Sequence, residues 1–240
     1  MRMSEPDTAK TILVTGAGRG LGRALAAQLT ARGDHVIAHA RSEGTLDGVP
    51  CKSRLIADLA TPETLADAVA AAGIDHLDAL IHNAGIARVE PIATQTLDWW
   101  QQTLAVNLAA PAELTRLLLP ALRAARGHVV FVNSGAGLNA GPLWASYAAS
   151  KFGVRALADA LRAEEQGAGV RVTSLYPSHF DTDMQRSVRE QANSNYDPER
   201  ATSVDSIAKA IVDVLNTPAD MVINEMRIEP PNPLPIRPKS

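Results

Sequence analysis

Seven short aliphatic runs recur along the chain: TILVT (11–15), HVIAHA (35–40), SRLIAD (53–58), LDALIHN (77–83), HVVFVN (128–133), VRVTSLY (170–176) and MVINEMRI (221–228). Most are apolar without a break instead of alternating, which is the pattern of parallel strands covered on both faces. Helical patterns lie between them. RGLGRALAAQLTARG (19–33) is rich in alanine and leucine, and Gly33 is placed to end it. Thr61–Pro62–Glu63 opens another helix, since proline is tolerated at a first helical position. The segment 97–127 reads as two helices meeting near Pro111. This alternation predicts an α/β fold: a doubly wound parallel sheet of about seven strands in three layers, helix over sheet over helix. With no linker and no internal repeat, residues 1–240 read as one domain.

Two segments break the rhythm. Residues 177–203 carry no convincing strand and little apolar periodicity, and so read as a long loop of the functional kind. The proline-rich tail EPPNPLPIRPKS (229–240) continues neither sheet nor helix and reads as a surface terminus.

Composition narrows the function. A net charge of −3 gives no reason to expect a nucleic acid or an anionic membrane as partner. The lone cysteine, Cys51, has no internal disulfide partner, which suits a reducing cytosol and excludes a zinc cluster built on cysteines. MRMSEPDTAK at the start lacks the apolar core of a signal peptide, and no apolar stretch approaches the roughly 20 residues of a membrane span. The expected location is the cytoplasm.

Directly after the first apolar run comes TGAGRGLG (15–22), leading into a helix. Gly16, Gly20 and Gly22 let the turn tighten and the backbone approach a diphosphate, whose charge suits the helix N-terminus. The spacing departs from G-x-G-x-x-G, because Leu21 stands where a glycine would be. The second run ends His39–Ala40–Arg41 without the acid that often binds the ribose hydroxyls of NAD. Arg41 and Arg19 can instead flank a 2′-phosphate, whose geometry suits the guanidinium fork, so NADP(H) is the expected cofactor. Asp58, ending the third run, either caps an adenine edge beside Leu59 or is a plain strand-end carboxylate.

In YAASK, Tyr147 and Lys151 stand one helical turn apart and project from the same face. The spacing brings an ammonium near a phenol, but it also arises by chance in many helices. The ordered set of motifs is more specific, and it resembles the short-chain dehydrogenases/reductases from Thr15 to about Arg227. TGAGRGLG matches T-G-x-x-x-G-x-G; HNAG (82–85) is similar to N-N-A-G, with His82 replacing asparagine; VNL carries Asn107; VNSGAG supplies Ser134, thirteen positions before Tyr147; YAASK matches Y-x-x-x-K; and YPSHFDT resembles P-G followed by a threonine, with Ser178 for glycine.

The resemblance implies a Rossmann-like fold and an NADP(H)-dependent reduction of a ketone or aldehyde, or oxidation of the corresponding alcohol. Hydride transfer to a carbonyl needs a proton donor at the oxygen. By resemblance Tyr147 is that acid, Lys151 together with the positive nicotinamide of the oxidised cofactor lowers its pKa, Lys151 also holds the nicotinamide ribose, Ser134 positions the substrate oxygen, and Asn107 holds a relay water. Gly16, Arg19, Gly20, Leu21, Gly22, Arg41, Asp58, Leu59, Asn83, Ala84, Gly85, Tyr147, Lys151, Pro177 and Thr182 fall at the cofactor positions. Substrate contacts fall to Ser134, Ala136, Leu138, Trp144, Tyr147, and the 178–200 loop with His179, Phe180, Met184 and Tyr196.

His82 is expected to fill the asparagine's structural place. Ser178 either strains the backbone or offers a hydroxyl, alone or with His179. Asp181 and Asp183 read as solvated carboxylates, not metal ligands, and one of Trp99 and Trp100 as core. The apolar residues near the centre favour a neutral or aromatic carbonyl over a phosphorylated one. A homodimer or homotetramer is implied through helices at 97–125 and 145–166. The alternatives are a nucleotide-sugar epimerase or dehydratase, and a non-catalytic dinucleotide sensor with the same fold.

Overall fold

The computed structural model describes residues 9–234. Residues 1–8, with most of the polar N-terminus, and residues 235–240 of the proline-rich tail lie outside the described residues. The seven apolar runs form strands β1 (Thr11–Val14), β2 (His35–Ala40), β3 (Ser53–Ile56), β4 (Ala79–His82), β5 (His128–Val132), β6 (Arg171–Pro177) and β7 (Glu225–Ile228). They make one parallel sheet in the order β3-β2-β1-β4-β5-β6-β7. Register is set by pairs such as Ile12 with both Val36 and Ala79, and Leu175 with Met226.

The unbroken apolar runs follow from burial on both faces. In β1, Ile12 and Val14 face one core with Leu25 and Leu29 of α1 (Gly20–Ala31). Leu13 faces the other, with Leu65 of α2 (Leu65–Ala72), Leu114 and Leu118 of α4 (Ala110–Ala125) and Val154 of α5 (Ala145–Glu165). α7 (Val204–Leu215) joins α1 on the first face through Ile207 and Ile211. No helix among the described residues is long and apolar enough to cross a membrane.

The segment 97–127 holds two helices that meet near Pro111, as expected: α3 (Leu97–Leu104) joins α4 through a π turn at Ala105–Ala109, and Pro111 sits in the first turn of α4. Three expectations are corrected. The supposed loop 177–203 contains α6 (Asp183–Gln191), capped by Thr182 Oγ1, which accepts from the Gln185 N–H at 3.2 Å. Its polar sequence hid it, although Thr-x-x-Gln is a helix-start signature. β7 begins at Glu225, not Met221. Neither Trp99 nor Trp100 is core; both are half-buried, and Arg88 lies 5.7 Å from the Trp99 ring centre.

Strand β1 pairs with β2 on one side and β4 on the other, so the chain reverses its winding direction there. A crevice opens at the carboxyl ends of strands at such a point. The turns that follow β1 and β4 frame it.

Candidate active site

The turn after β1 is built around absent side chains. Gly16 and Gly20 hold φ of +66° and +52°. A Cβ on Gly22 would stand 2.1 Å from the Gly16 carbonyl oxygen, and one on Gly16 would stand 3.0 Å from Ala84 Cα. Gly18 is equally constrained, with Thr45 Cγ2 at 2.4 Å from its Cβ position, although nothing in the spacing had singled it out. Such a cradle fits a group that needs bare backbone, as a diphosphate does.

Thr15 stitches this turn to the one after β4. Its Oγ1 accepts from the N–H groups of Asn83 and Ala84 at 2.9 and 3.0 Å, and the Asn83 amide donates to the Thr15 carbonyl at 2.8 Å. Leu21 and Leu59 are buried, one in each core, and pack the turns against them. Asp58 is half-buried and accepts from the Ala60 N–H at 2.9 Å, so one oxygen shapes its own turn. Arg41 is exposed and makes no ion pair among the described residues. Arg19 is exposed too, with only Asp183 at 3.9 Å.

The chemical residues meet at the ends of β5 and α5. Ser134 ends β5 and caps a short turn, its Oγ accepting from the Ala136 N–H at 3.1 Å. Tyr147 lies in the first turn of α5, buried, its ring centre 5.4 Å from that of Trp144. Asn133 fixes the two elements against each other: its Oδ1 accepts from the Ser134 N–H at 2.9 Å and its Nδ2 donates to the Lys151 carbonyl at 3.1 Å. The sequence reading missed Asn133, although its polarity at the end of an apolar strand was a signal.

Lys151 is buried and its Nζ donates to the Val132 carbonyl at 3.0 Å. Burial brings its pKa down to about 8. Burial raises the Tyr147 phenol above its ordinary value, and the Ser134 hydroxyl pulls weakly the other way. Nζ lies 5.8 Å from the Tyr147 ring centre and is engaged elsewhere, so desolvation outweighs it.

Asn107 sits in the π turn. Its Oδ1 accepts from the Ile86 N–H, and its Nδ2 donates to the Ile86 carbonyl and to Ser150 Oγ, all within 2.9–3.0 Å. Both amide hydrogens are thus donated within the protein. Ser150 passes the contact on by donating to the Tyr147 carbonyl at 2.7 Å. A Cβ on Gly85 would meet Asn107 Oδ1 at 3.3 Å and Lys151 Nζ at 3.9 Å, so these groups flank the turn after β4.

Above them lies a cavity of about 330 Å³. Ser134, Ala136, Trp144, Tyr147, His179 and Met184 all line it, as do Pro177, Phe180 and Thr182. Leu138 and Tyr196 do not; the Tyr196 hydroxyl instead donates to Asp181. Among the described residues, no Lys, Arg, Asp or Glu lines the cavity. Ser178 does not take the strained backbone; His179 does, at φ +47°, with its Nδ1 3.3 Å from Ser178 Oγ. Burial lowers the His179 pKa, which keeps the ring neutral. Asp181 and Asp183 both pair with Arg186, at 2.8 and 3.4 Å. The Thr182 methyl lies 3.9 Å from the Cβ position of Gly20, so the start of α6 overhangs the glycine turn.

His82, where asparagine was expected, is buried and stacked on Phe131 at 4.9 Å. The Thr115 hydroxyl gives its proton to the Pro111 carbonyl at 2.7 Å, so its oxygen accepts from His82 Nε2–H at 2.9 Å. Nδ1 is buried with no partner among the described residues, and burial holds the ring neutral with a pKa near 3.

Residues 10–193 match the family model described as short chain dehydrogenase. The chain is 30% identical over 241 residues to human dehydrogenase/reductase SDR family member 11, covering 91% of this chain and 93% of that protein. It is 33% identical over 242 residues to glycine betaine reductase ATRR of Emericella nidulans; that match covers 94% of this chain but only 19% of that much longer protein. A solved short chain dehydrogenase from Burkholderia cenocepacia, in complex with NADP, superposes with a TM-score of 0.79 at 28% identity, over 92% of this chain and 88% of the other.

Proposed function

The chain belongs to the short-chain dehydrogenase family and is an oxidoreductase of that family; from that premise we propose that it is an NADP(H)-dependent carbonyl reductase or alcohol dehydrogenase acting on a neutral carbonyl or alcohol. The observation that carries the reading is that Ser134 and Tyr147 share the wall of one cavity, with Lys151 behind them and the glycine cradle beside them. A bound nicotinamide dinucleotide would supply or accept the hydride.

Tyr147 donates its phenolic proton to the substrate oxygen during reduction. Burial favours the protonated phenol, which is the form that reduction requires. Ser134 Oγ donates a hydrogen bond to the same oxygen and holds it within reach. Lys151 holds the nicotinamide ribose, and a proton returns to Tyr147 along Lys151 and a water held at Asn107 in the π turn. Gly16, Gly20, Gly22 and the Asn83–Gly85 turn admit the cofactor backbone, Asp58 and Leu59 its adenine, and Pro177 and Thr182 its nicotinamide end. Arg41 and Arg19, with no acid at the end of β2, support NADPH over NADH. A cavity lined by no formal charge supports a neutral substrate over a carboxylate or phosphate. Residues 1–240 act as one catalytic unit, and we place it in the cytoplasm as a homodimer or homotetramer, which light scattering tests.

The deciding assay is NADPH consumption with a panel of ketones and aldehydes, run beside Tyr147→Phe, with cofactor binding measured in both proteins. Turnover should vanish in the variant while binding survives. Substantial turnover in Tyr147→Phe overturns the acid assignment.

A further inference from the structure

His39 occupies the middle strand of the three that carry the dinucleotide side of the crevice, since the sheet runs β3-β2-β1. It is 2% exposed, and both ring nitrogens are engaged by main chain. Nδ1 accepts from the Gly16 N–H at 3.2 Å, and Nε2 faces the Ala57 carbonyl oxygen at 3.2 Å. An amide N–H only donates and a carbonyl only accepts, so a single neutral tautomer, with the hydrogen on Nε2, satisfies both. Burial holds that neutral form, with a pKa near 4 although Asp58 lies close enough to raise it. The His39 carbonyl takes the next amide of the same turn, accepting from Ala17 N–H at 2.9 Å. Gly16 opens the glycine turn and Ala57 immediately precedes Asp58, so one ring joins two loops that no backbone hydrogen bond connects directly among the described residues.

Resting on the dinucleotide reading above, we propose that His39 is a positioning residue of the cofactor site, its ring a brace that fixes the spacing between the diphosphate turn at Gly16 and the adenine-side segment Ala57–Leu59. The Gly16 N–H is then not a phosphate ligand; the amides beyond it do that work. The brace acts on the whole dinucleotide, which spans both loops, and much less on a fragment that sits on one. It does not read the 2′-phosphate, so NADPH and NADH lose affinity by the same factor.

The test measures binding by titration calorimetry in wild type, His39→Phe and His39→Gln, with NADPH, NADH and adenosine 2′-monophosphate, a half-molecule that keeps the adenine side but has no 5′-phosphate to reach the glycine turn. Phenylalanine keeps the buried ring and removes both hydrogen bonds. It is expected to weaken both dinucleotides about tenfold or more, as the loss of a buried hydrogen-bond pair implies. Its effect on adenosine 2′-monophosphate should be within about threefold, less than half a decade of affinity. Glutamine is long enough to accept from one loop and donate to the other, so it restores dinucleotide affinity toward wild type. At saturating cofactor, kcat and the carbonyl KM of the variants stay at wild-type values while the cofactor KM rises. Unchanged dinucleotide affinity in both folded variants overturns the assignment to His39 alone, as does an equal loss for the half-molecule. Wild-type protein that binds neither NADPH nor NADH overturns the dinucleotide reading together with the brace.

Discussion

Three buried histidines make this fold acid-sensitive, and His82 isolates the effect. Burial holds His82 and His128 neutral with pKa values near 3, and His39 near 4. His128 repeats the His82 arrangement: Thr173 gives its proton to the Ile223 carbonyl and accepts from His128 Nε2–H at 2.8 Å, leaving Nδ1 buried and unpartnered. Protonation would bury a charge on a nitrogen with no acceptor. The unfolded chain carries no such penalty and takes up protons as pH falls through about 6.5, the ordinary histidine value. Stability is therefore fully present above about 6.5 and is lost progressively below it, until the folded-state values are reached. At pH 5.0 the deficit is about one and a half units at about 1.4 kcal/mol each, or about 2 kcal/mol per ring. Three rings together remove about 6 kcal/mol, comparable with a typical total stability of about 5–15 kcal/mol. Carboxylates add their own pH dependence, so the measurement is a difference. Urea unfolding of wild type and His82→Asn, followed by fluorescence of Trp99, Trp100 and Trp144, would be run at pH 7.5 and 5.0. The asparagine variant should lose about 2 kcal/mol less than wild type between the two pH values, whatever its stability at pH 7.5. Parallel losses in the two proteins would refute the reasoning, because they would mean that His82 titrates alike in both states.

Lys151 makes the converse prediction about stability and function. Its pKa of about 8 means that below that pH the folded protein holds a charged amine in a buried place, and stability rises as pH climbs from about 8 toward the ordinary lysine value. Lys151→Met should raise stability at neutral pH by up to about 3 kcal/mol while abolishing turnover; a destabilised variant across pH 7–9 would show the Val132 contact to matter more than the charge. Asn133→Ala cuts the link between Ser134 and the Lys151 carbonyl. Turnover should fall by about tenfold to a hundredfold with NADPH affinity unchanged, and an unchanged kcat would show that α5 is held in place without it.

The sequence by itself determined the sheet and the placement of its chemistry. Runs such as TILVT and HVVFV are unbroken because both faces of a parallel strand are buried, and that pattern is local. Tyr147 and Lys151 share a face of α5 because four residues make one helical turn, and Gly22 had to be glycine because the Gly16 carbonyl lies where a Cβ would be. Other features needed the fold. α6 was hidden because a polar helix over a cavity buries too little to print a periodicity, with Met184 and Val188 its main apolar contacts. The proline-rich tail read as a surface terminus, but what holds its start needed the fold: Arg200 donates to the Asn232 and Pro233 carbonyls at 3.1 Å. The burial that raises the Tyr147 phenol comes from the whole fold around it and is not contained in the spacing to Lys151. Asn107 is saturated by Ile86, twenty-one residues away, and His39 by Gly16 and Ala57, twenty-three and eighteen away. Local pattern fixes which face a residue takes; only the folded chain decides which donors and acceptors meet there, because a hydrogen bond depends on distances that a linear spacing does not contain.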